Sequence, residues 1–114
     1  MSDCIFCRII KGEIPSRTVF EDEDILAFED INPQAPTHIL IIPKEHYVSL
    51  LEMPEEKKDL LGKIFIKARE IAEKRGLNKS GFRIVLNTGR DSGQDVFHIH
   101  FHVLGGRRMT WPPG

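Results

Sequence analysis

Three histidines alternate with apolar residues along one short run of the chain: His98, His100 and His102. Successive side chains of a β-strand point to opposite faces, so we expect the imidazoles to share one face while the residues between them enter the core. Histidine titrates near neutral pH, which suits it to chemistry in water. The run therefore predicts a reactive surface backed by a hydrophobic core.

The spacing of these histidines disfavours a single metal held by all three. At a rise of about 3.3 Å per residue, the backbones of His98 and His102 are about 13 Å apart in an extended strand. Joint coordination would need strong bending. We therefore expect the three to have different roles, and a metal-dependent hydrolase using them as ligands is the less favoured interpretation.

The segment 87–96, just before the histidines, is rich in glycine and amide side chains. Such a loop can direct backbone N–H groups at an anion, and phosphate is the obvious ligand. A plain surface turn would have the same composition, so the loop indicates an anion site mainly because the histidines follow it.

Cys4 and Cys7 have the two-residue spacing of half a structural zinc site. Two reduced, partly buried thiols are the alternative interpretation. A redox pair is less favoured, because no thioredoxin-like strand and helix surround the motif.

Five segments have the alternating or fully apolar patterns of strands. The first two flank an acidic turn and predict a hairpin, and the third is apolar throughout, which indicates a central place in the sheet. The predicted strands are residues 18–21, 25–29, 38–42, 82–87 and 97–104.

Helical spacing of apolar residues predicts one long amphipathic helix over residues 54–75, stopped by Gly76, and a short helix over residues 4–11 closing on Gly12. Short turns between consecutive strands favour antiparallel pairing. The predicted fold class is therefore α+β: a five-stranded, mainly antiparallel sheet with one long and one short helix.

Length and charge narrow the classes of function. The 114 residues, 40% of them hydrophobic, predict one domain over residues 1–114. Lysine and arginine number 16 against 17 acidic residues, so no basic field favours nucleic acid, and a small substrate is expected. The sequence has neither a run of about 18 apolar residues nor a signal peptide, which predicts a soluble, cytoplasmic protein without a membrane partner.

Residues 98–106 and the tail Trp111-Pro112-Pro113-Gly114 resemble the histidine triad (HIT) nucleotide-binding proteins, in the branch that hydrolyses purine nucleoside phosphoramidates. The likeness continues through residues 28–38 and 41–44. Related dinucleoside polyphosphate hydrolases have proline and arginine in place of Gly105 and Gly106, which argues against that branch. The resemblance implies a HIT-like fold, with the sheet extended across a two-fold homodimer.

The resemblance also implies a mechanism. His100 would attack the α-phosphorus, expel an amine and carry the nucleotide until water releases it, with a backbone carbonyl holding its other ring nitrogen. His102 would hold phosphate oxygens, and His38 would support the nucleophile, although a structural role at a strand start fits His38 equally well. The implied activity is a purine nucleoside phosphoramidate hydrolase that needs no cofactor for the chemical step. The alternative is a nucleotide-binding sensor or protein-interaction module with little turnover.

Other matched positions imply contacts with an AMP-like or GMP-like purine nucleotide. Asp30 would bind the ribose hydroxyls, and the apolar residues near it would flank the base. Gln94 and nearby loop amides would complete the phosphate site. The implied substrate-binding set is Phe28, Asp30, Ile31, Asn87, Gly93, Gln94, Asp95, Val96, His102 and Trp111.

Asp95 departs from the better-known animal members, which have a serine there. An ionised carboxylate would repel phosphate unless it faces away or contacts the leaving amine. We hypothesise that Asp95 shifts leaving-group preference toward cationic amines such as lysine.

Bacterial members that resemble this chain complete the cysteine pair with two histidines, so the resemblance implies a structural zinc site of Cys4, Cys7, His46 and His98. Four protein ligands leave no open position for substrate. The tail 107–114 either folds back on its own domain or, as in the family, crosses to the partner's active site. We expect a homodimer with the long helix and the fourth strand as contact elements.

Overall fold

The computed structural model describes residues 3–114. Its strands are β1 (Thr18–Glu21), β2 (Ile25–Glu29), β3 (Thr37–Pro43), β4 (Phe82–Leu86) and β5 (Phe101–Gly105). Its helices are α1 (Ile5–Ile10), α2 (Lys58–Lys74) and α3 (Leu77–Ser80), and single 3-10 turns cover Leu50–Glu52, Glu55–Lys57 and Arg90–Ser92.

The five strands form one antiparallel sheet in the order β1-β2-β3-β5-β4. Every residue of β3 is buried, which confirms the central place predicted from its unbroken apolar run. The β1–β2 turn is closed by Asp22, whose Oδ1 accepts hydrogen bonds from the backbone N–H groups of Asp24 and Ile25. The predicted α+β fold class is confirmed.

The two faces of the sheet have different partners. On one face, Ile64, Ala68 and Ile71 of α2 pack against side chains of β2, β3 and β5 in the larger core cluster. On the other face, Phe6 of α1 packs in a smaller cluster with apolar residues of β2 and β3. The histidine side chains lie on this second face, since Phe6 also makes edge contacts with the rings of His98 and His100.

Helix α2 begins at Lys58, after a 3-10 turn, and so starts four residues later than predicted from Pro54. Gly76, at φ 76°, ends it as expected. The sequence did not predict α3, whose buried Leu77 rests against Gly105: a Cβ on that glycine would lie 2.6 Å from Leu77 Cδ1. Within residues 3–114, no helix is both long and apolar enough to span a bilayer.

Strand β5 is shorter than the predicted span of residues 97–104, because ladder pairing begins only at Phe101. The approach to it is held differently: the N–H of Ile99 donates to the carbonyl of Tyr47 at 2.8 Å, outside the sheet. The carbonyl oxygen of His98 lies 2.8 Å from Nδ1 of His100 and accepts from this ring rather than from the backbone of a neighbouring strand. Of the three histidines, only His102 is therefore a sheet residue.

Candidate active site and candidate metal centre

A cavity of about 320 Å³ opens on the α1 face of the sheet. Apolar side chains, many of them from α1, β2 and β3, line it together with several polar ones. The polar lining includes Asp30, Asp95, His100 and His102, and the apolar lining includes Ile5, Phe6, Ile9, Ile14, Phe28, Ile31, Leu40 and Val96.

The ring of His100 is fixed in orientation and in tautomer. Its side chain is buried, and its Nδ1 lies 2.8 Å from the carbonyl oxygen of His98. A carbonyl can only accept, so Nδ1–H donates and the lone pair of the neutral ring is on Nε2. That Nε2 lies 3.6 Å from Oδ1 of Asp95, beyond hydrogen-bonding distance. His100 thus presents a nucleophilic nitrogen to the cavity that it lines.

A chain of hydrogen bonds sets the tautomer of His102. The backbone N–H of Gln34 donates to Nδ1 of His38 at 3.0 Å, so the proton of neutral His38 is on Nε2. His38 Nε2 lies 2.9 Å from Nδ1 of His102 and donates to it. The remaining proton of neutral His102 is therefore on Nε2, a buried atom without a hydrogen-bond partner in the part of the chain described. A buried donor in this position can bind an oxygen of a ligand.

His38 and His102, which are joined by this hydrogen bond, both stay neutral near pH 7. Burial, together with the nearby His100 and His38, lowers the pKa of His102 to about 4. Burial also lowers the pKa of His38, against the opposing effect of the Asp30 carboxylate, whose Oδ2 lies 3.4 Å from His38 Nε2. His38 thus orients His102; among the described contacts it has none with His100, the residue it was expected to support.

The predicted phosphate-side residues are not all in the cavity. Gln94 is buried: its Oε1 accepts from the N–H of Gly89 at 2.9 Å, and its Nε2 donates to the carbonyls of Val48 and Val96 at 2.7 and 3.0 Å. Through these three hydrogen bonds the Gln94 amide holds the loop that precedes the histidines in place. Asn87, Gly93 and Gln94 are absent from the cavity lining.

Other predicted substrate residues are divided between floor, mouth and exterior. Phe28 is buried in the cavity floor, and Ile31 is 96% exposed at the mouth. Asp30 lies between them, its Oδ1 accepting from the N–H of Asn32 at 2.8 Å. Trp111 is 81% exposed and does not line the cavity.

Sequence reasoning missed the wall that α1 supplies. Phe6 contacts the rings of Phe28, His98 and His100 at centroid distances of 5.6, 5.8 and 5.1 Å. The only sequence signal was the apolar character of this short helix at positions 5, 6, 9 and 10, which required burial against something. What it covers depends on how the helix docks on the sheet.

The side chains of the four residues expected to bind zinc lie close together. Cys4 Sγ lies 3.3 Å from His98 Nδ1, Cys7 Sγ lies 3.3 Å from His46 Nδ1, and the two Nδ1 atoms are 3.0 Å apart. His98 Nε2–H donates to the carbonyl of Pro43 at 2.9 Å, which leaves the Nδ1 lone pair facing the thiols. Burial lowers the pKa of His98 to about 4 and favours the neutral ring that binds metal.

The spacing of these atoms suits a tetrahedral ion. Bonds of about 2.3 Å to sulfur and about 2.1 Å to nitrogen place tetrahedral donors about 3.3–3.8 Å apart. The sulfur–nitrogen separations are 3.3 to 3.6 Å, within this range, and the two Nδ1 atoms, 3.0 Å apart, are a few tenths of an ångström closer than it. Two thiols and two imidazoles are also the donors that zinc prefers over magnesium or calcium. The residues therefore fit zinc.

Comparison with known proteins gives consistent matches along the chain. Residues 11–109 match the family model described as the HIT domain. A protein of Zea mays named "14 kDa zinc-binding protein" is 52% identical over 115 residues, covering 99% of this chain and 89% of the relative.

Two solved structures have the same fold. A HIT family hydrolase from Legionella pneumophila Philadelphia 1 superposes with a TM-score of 0.96 at 53% identity, over 98% of this chain and 100% of that one. A histidine triad nucleotide-binding protein from Candida albicans superposes with a TM-score of 0.81 at 38% identity, over 89% of this chain and 73% of that one.

Proposed function

The chain belongs to the HIT family, and we propose that it hydrolyses purine nucleoside phosphoramidates through a nucleotidyl intermediate on His100. The proposal rests on the hydrogen bonding of the His100 ring. Its Nδ1–H donates to the His98 carbonyl, and its Nε2 is available at the cavity. An imidazole whose Nδ1 proton is held in this way has its Nε2 lone pair free to act as a nucleophile.

In the first step, the lone pair of His100 Nε2 forms a bond to the α-phosphorus while the P–N bond of the substrate breaks. The bonding pair goes to the amine nitrogen, which takes a proton from water at the open mouth of the cavity. Positive charge develops on the imidazole, and the His98 carbonyl stabilises it because the Nδ1–H bond to that oxygen becomes charge-assisted.

In the second step, water attacks the phosphorus and the bond to Nε2 breaks, returning its electron pair to His100. The attacking water gives one proton back to solvent, so the products are a nucleoside 5′-monophosphate and an amine. The neutral Nε2–H of His102 is suited to bind a non-bridging phosphate oxygen in both steps, because that donor is buried and has no hydrogen-bond partner among residues 3–114.

The cavity suits a purine nucleotide in size and polarity. Its volume of about 320 Å³ lies at the lower end of the range for small-molecule sites. Phe28 and Ile31 would flank the base, and the Asp30 carboxylate would accept hydrogen bonds from the ribose hydroxyls. Gln94 would act by positioning its loop, since both of its Nε2–H donors are already used in bonds to Val48 and Val96 and none is left for a phosphate.

We also propose a structural zinc ion held by Cys4, Cys7, His46 and His98. Such an ion would fix α1 to the end of β3 and to the histidine segment, and so would hold Phe6 against His100. Elemental analysis after purification without chelators should give one zinc per chain. Absence of stoichiometric zinc would contradict this assignment.

A two-fold dimer is proposed from the edge of the sheet. β4 is an edge strand, and an unpaired edge can add the matching strand of a second copy. Helix α2 exposes Phe65 and Ile66, at 49% and 44%, as apolar contact surface. The tail with Trp111 would then reach the partner. Analytical ultracentrifugation at micromolar concentration should give twice the chain mass, and a monomer mass would refute the dimer.

Phosphorus NMR of adenosine 5′-phosphoramidate tests the activity. The wild type should convert it to AMP, and His100→Ala should abolish turnover while still binding AMP in calorimetry. Glu23→Gln, an exposed change in the β1–β2 turn, is the matched control and should keep the wild-type rate. AMP binding by the wild type without turnover would refute the hydrolase and favour a nucleotide sensor.

A further inference from the structure

A second groove, of about 340 Å³, continues from the active-site cavity. It lies between the N-terminal segment and the residues that lead into the histidine run. Its lining is Asp3, Cys4, Ile5, Asp95, Val96 and Phe97, of which Ile5, Asp95 and Val96 also line the cavity. The two spaces therefore meet beside the residue that lies 3.6 Å from the reactive nitrogen of His100.

The groove combines negative charge with exposed apolar surface. The side chain of Asp95 is 80% exposed, and Asp3 is exposed as well. Phe97 and Ile5 are 60% and 44% exposed although both are large apolar residues. Among residues 3–114, no lysine or arginine lines either the groove or the cavity. The complementary ligand group is a cation carried on an apolar arm.

The negative charge of Asp95 lies close enough to His100 to affect the reaction. A phosphorus poised for attack lies about 3–3.5 Å from the nucleophile. Because Oδ1 of Asp95 lies 3.6 Å from the same nitrogen, this carboxylate would be within about 7 Å of the α-phosphorus. Among the described residues, no lysine or arginine in the cavity lining opposes the phosphate charge, and the imidazole donor available to it is the Nε2–H of His102. Two anions at this distance repel unless the ligand itself brings a positive charge.

We propose that the groove lined by Ile5, Asp95 and Phe97 is the leaving-group subsite, and that it takes an amine with an apolar arm ending in a positive charge. This inference rests on the proposed phosphoramidate hydrolysis and adds a place and a chemical class for the departing amine. Asp95 contributes the charge, and the exposed faces of Ile5 and Phe97 contribute the contact for the arm. Trp111 lines neither space in this chain.

Two substrates that differ only in terminal charge test the role of Asp95. They are the adenosine 5′-phosphoramidates of 1,5-diaminopentane and of pentylamine. For charges about 5 Å apart at an effective dielectric constant of about 40–80, kcat/KM should favour the diamine about 4-fold to 16-fold. Asp95→Asn should lower that ratio toward one, with any remainder due to Asp3 in the same groove, and 0.5 M NaCl should lower it in the wild type. The matched control Glu23→Gln removes the same charge elsewhere and should keep the ratio.

A second variant tests the apolar wall. Phe97→Ala should lower kcat/KM about fivefold for both pentyl substrates relative to the unsubstituted phosphoramidate, because contact with the arm is lost. Equal losses on all three substrates, or a diamine preference near one that Asp95→Asn does not change, would overturn the subsite while leaving the hydrolase intact. Failure of the wild type to cleave any of the three would overturn the hydrolase and this inference with it.

Discussion

The hydrogen-bonded position of His102 predicts a specific dependence of stability on pH. Its pKa is about 4 in the folded protein, against an ordinary value of 6.5, because burial penalises the charged ring. Below pH 6.5 the unfolded chain takes up a proton at this position that the folded chain does not. Stability from this residue is therefore complete above about pH 6.5 and is lost as the pH falls toward 4.

The magnitude follows from the same two values. Each tenfold change in acidity constant corresponds to about 1.4 kcal/mol, so the loss approaches about 3 kcal/mol at pH 4. His102→Asn removes the titrating ring, and an amide oxygen at that position can still accept from His38 Nε2. The variant should be less stable than the wild type at pH 7, and the difference should shrink as the pH falls.

Urea unfolding of both proteins from pH 7.5 to 4.5 measures this difference. Subtraction removes the titration of groups that the two proteins share, including the thiols and histidines of the metal centre. We expect the difference in unfolding free energy to narrow as the pH falls, with a slope approaching about 1.4 kcal/mol per pH unit. A difference that stays constant over this range would refute the assigned neutral, buried state of His102.

Three further predictions concern packing, the loop and the metal. Gln94→Ala should lower the free energy of unfolding by about 1–3 kcal/mol in urea titrations, because the carbonyls of Val48 and Val96 lose their donor; an unchanged midpoint would contradict this. Gly105→Ala should cost about 1–3 kcal/mol by forcing Leu77 aside, and part of that loss should be recovered with Leu77→Ala in the double variant; strict additivity would argue against the clash. Chelator treatment should lower the melting temperature of protein purified with zinc but not that of Cys7→Ser, and equal shifts would locate the metal elsewhere.

Local pattern predicted most of the framework. The apolar run of β3, the charge-separated apolar stripe of α2 and the acidic turn after β1 each depend on neighbours in sequence, so their elements could be predicted from the residues themselves. The convergence of Cys4, Cys7, His46 and His98 came from ligand chemistry combined with family resemblance.

Register and docking explain what the sequence did not predict. His38 meets His102 because β3 pairs with β5 so that His38 faces Leu104 and Leu40 faces His102, which makes the two histidines diagonal neighbours. That relation appears only when both strands are aligned. The Gln94 bond to Val48 likewise joins residues 46 positions apart, and no local pattern encodes it.

The proposed mechanism requires that His100 Nε2 carries the nucleotide during turnover. Acid-free quenching of a single turnover with adenosine phosphoramidate, followed by proteolysis and mass spectrometry, tests it directly. We expect an adenylyl group on His100 in the wild type, appearing before AMP and decaying as AMP accumulates. Adenylylation of another residue, or AMP formation at an unchanged rate by His100→Ala, would contradict it.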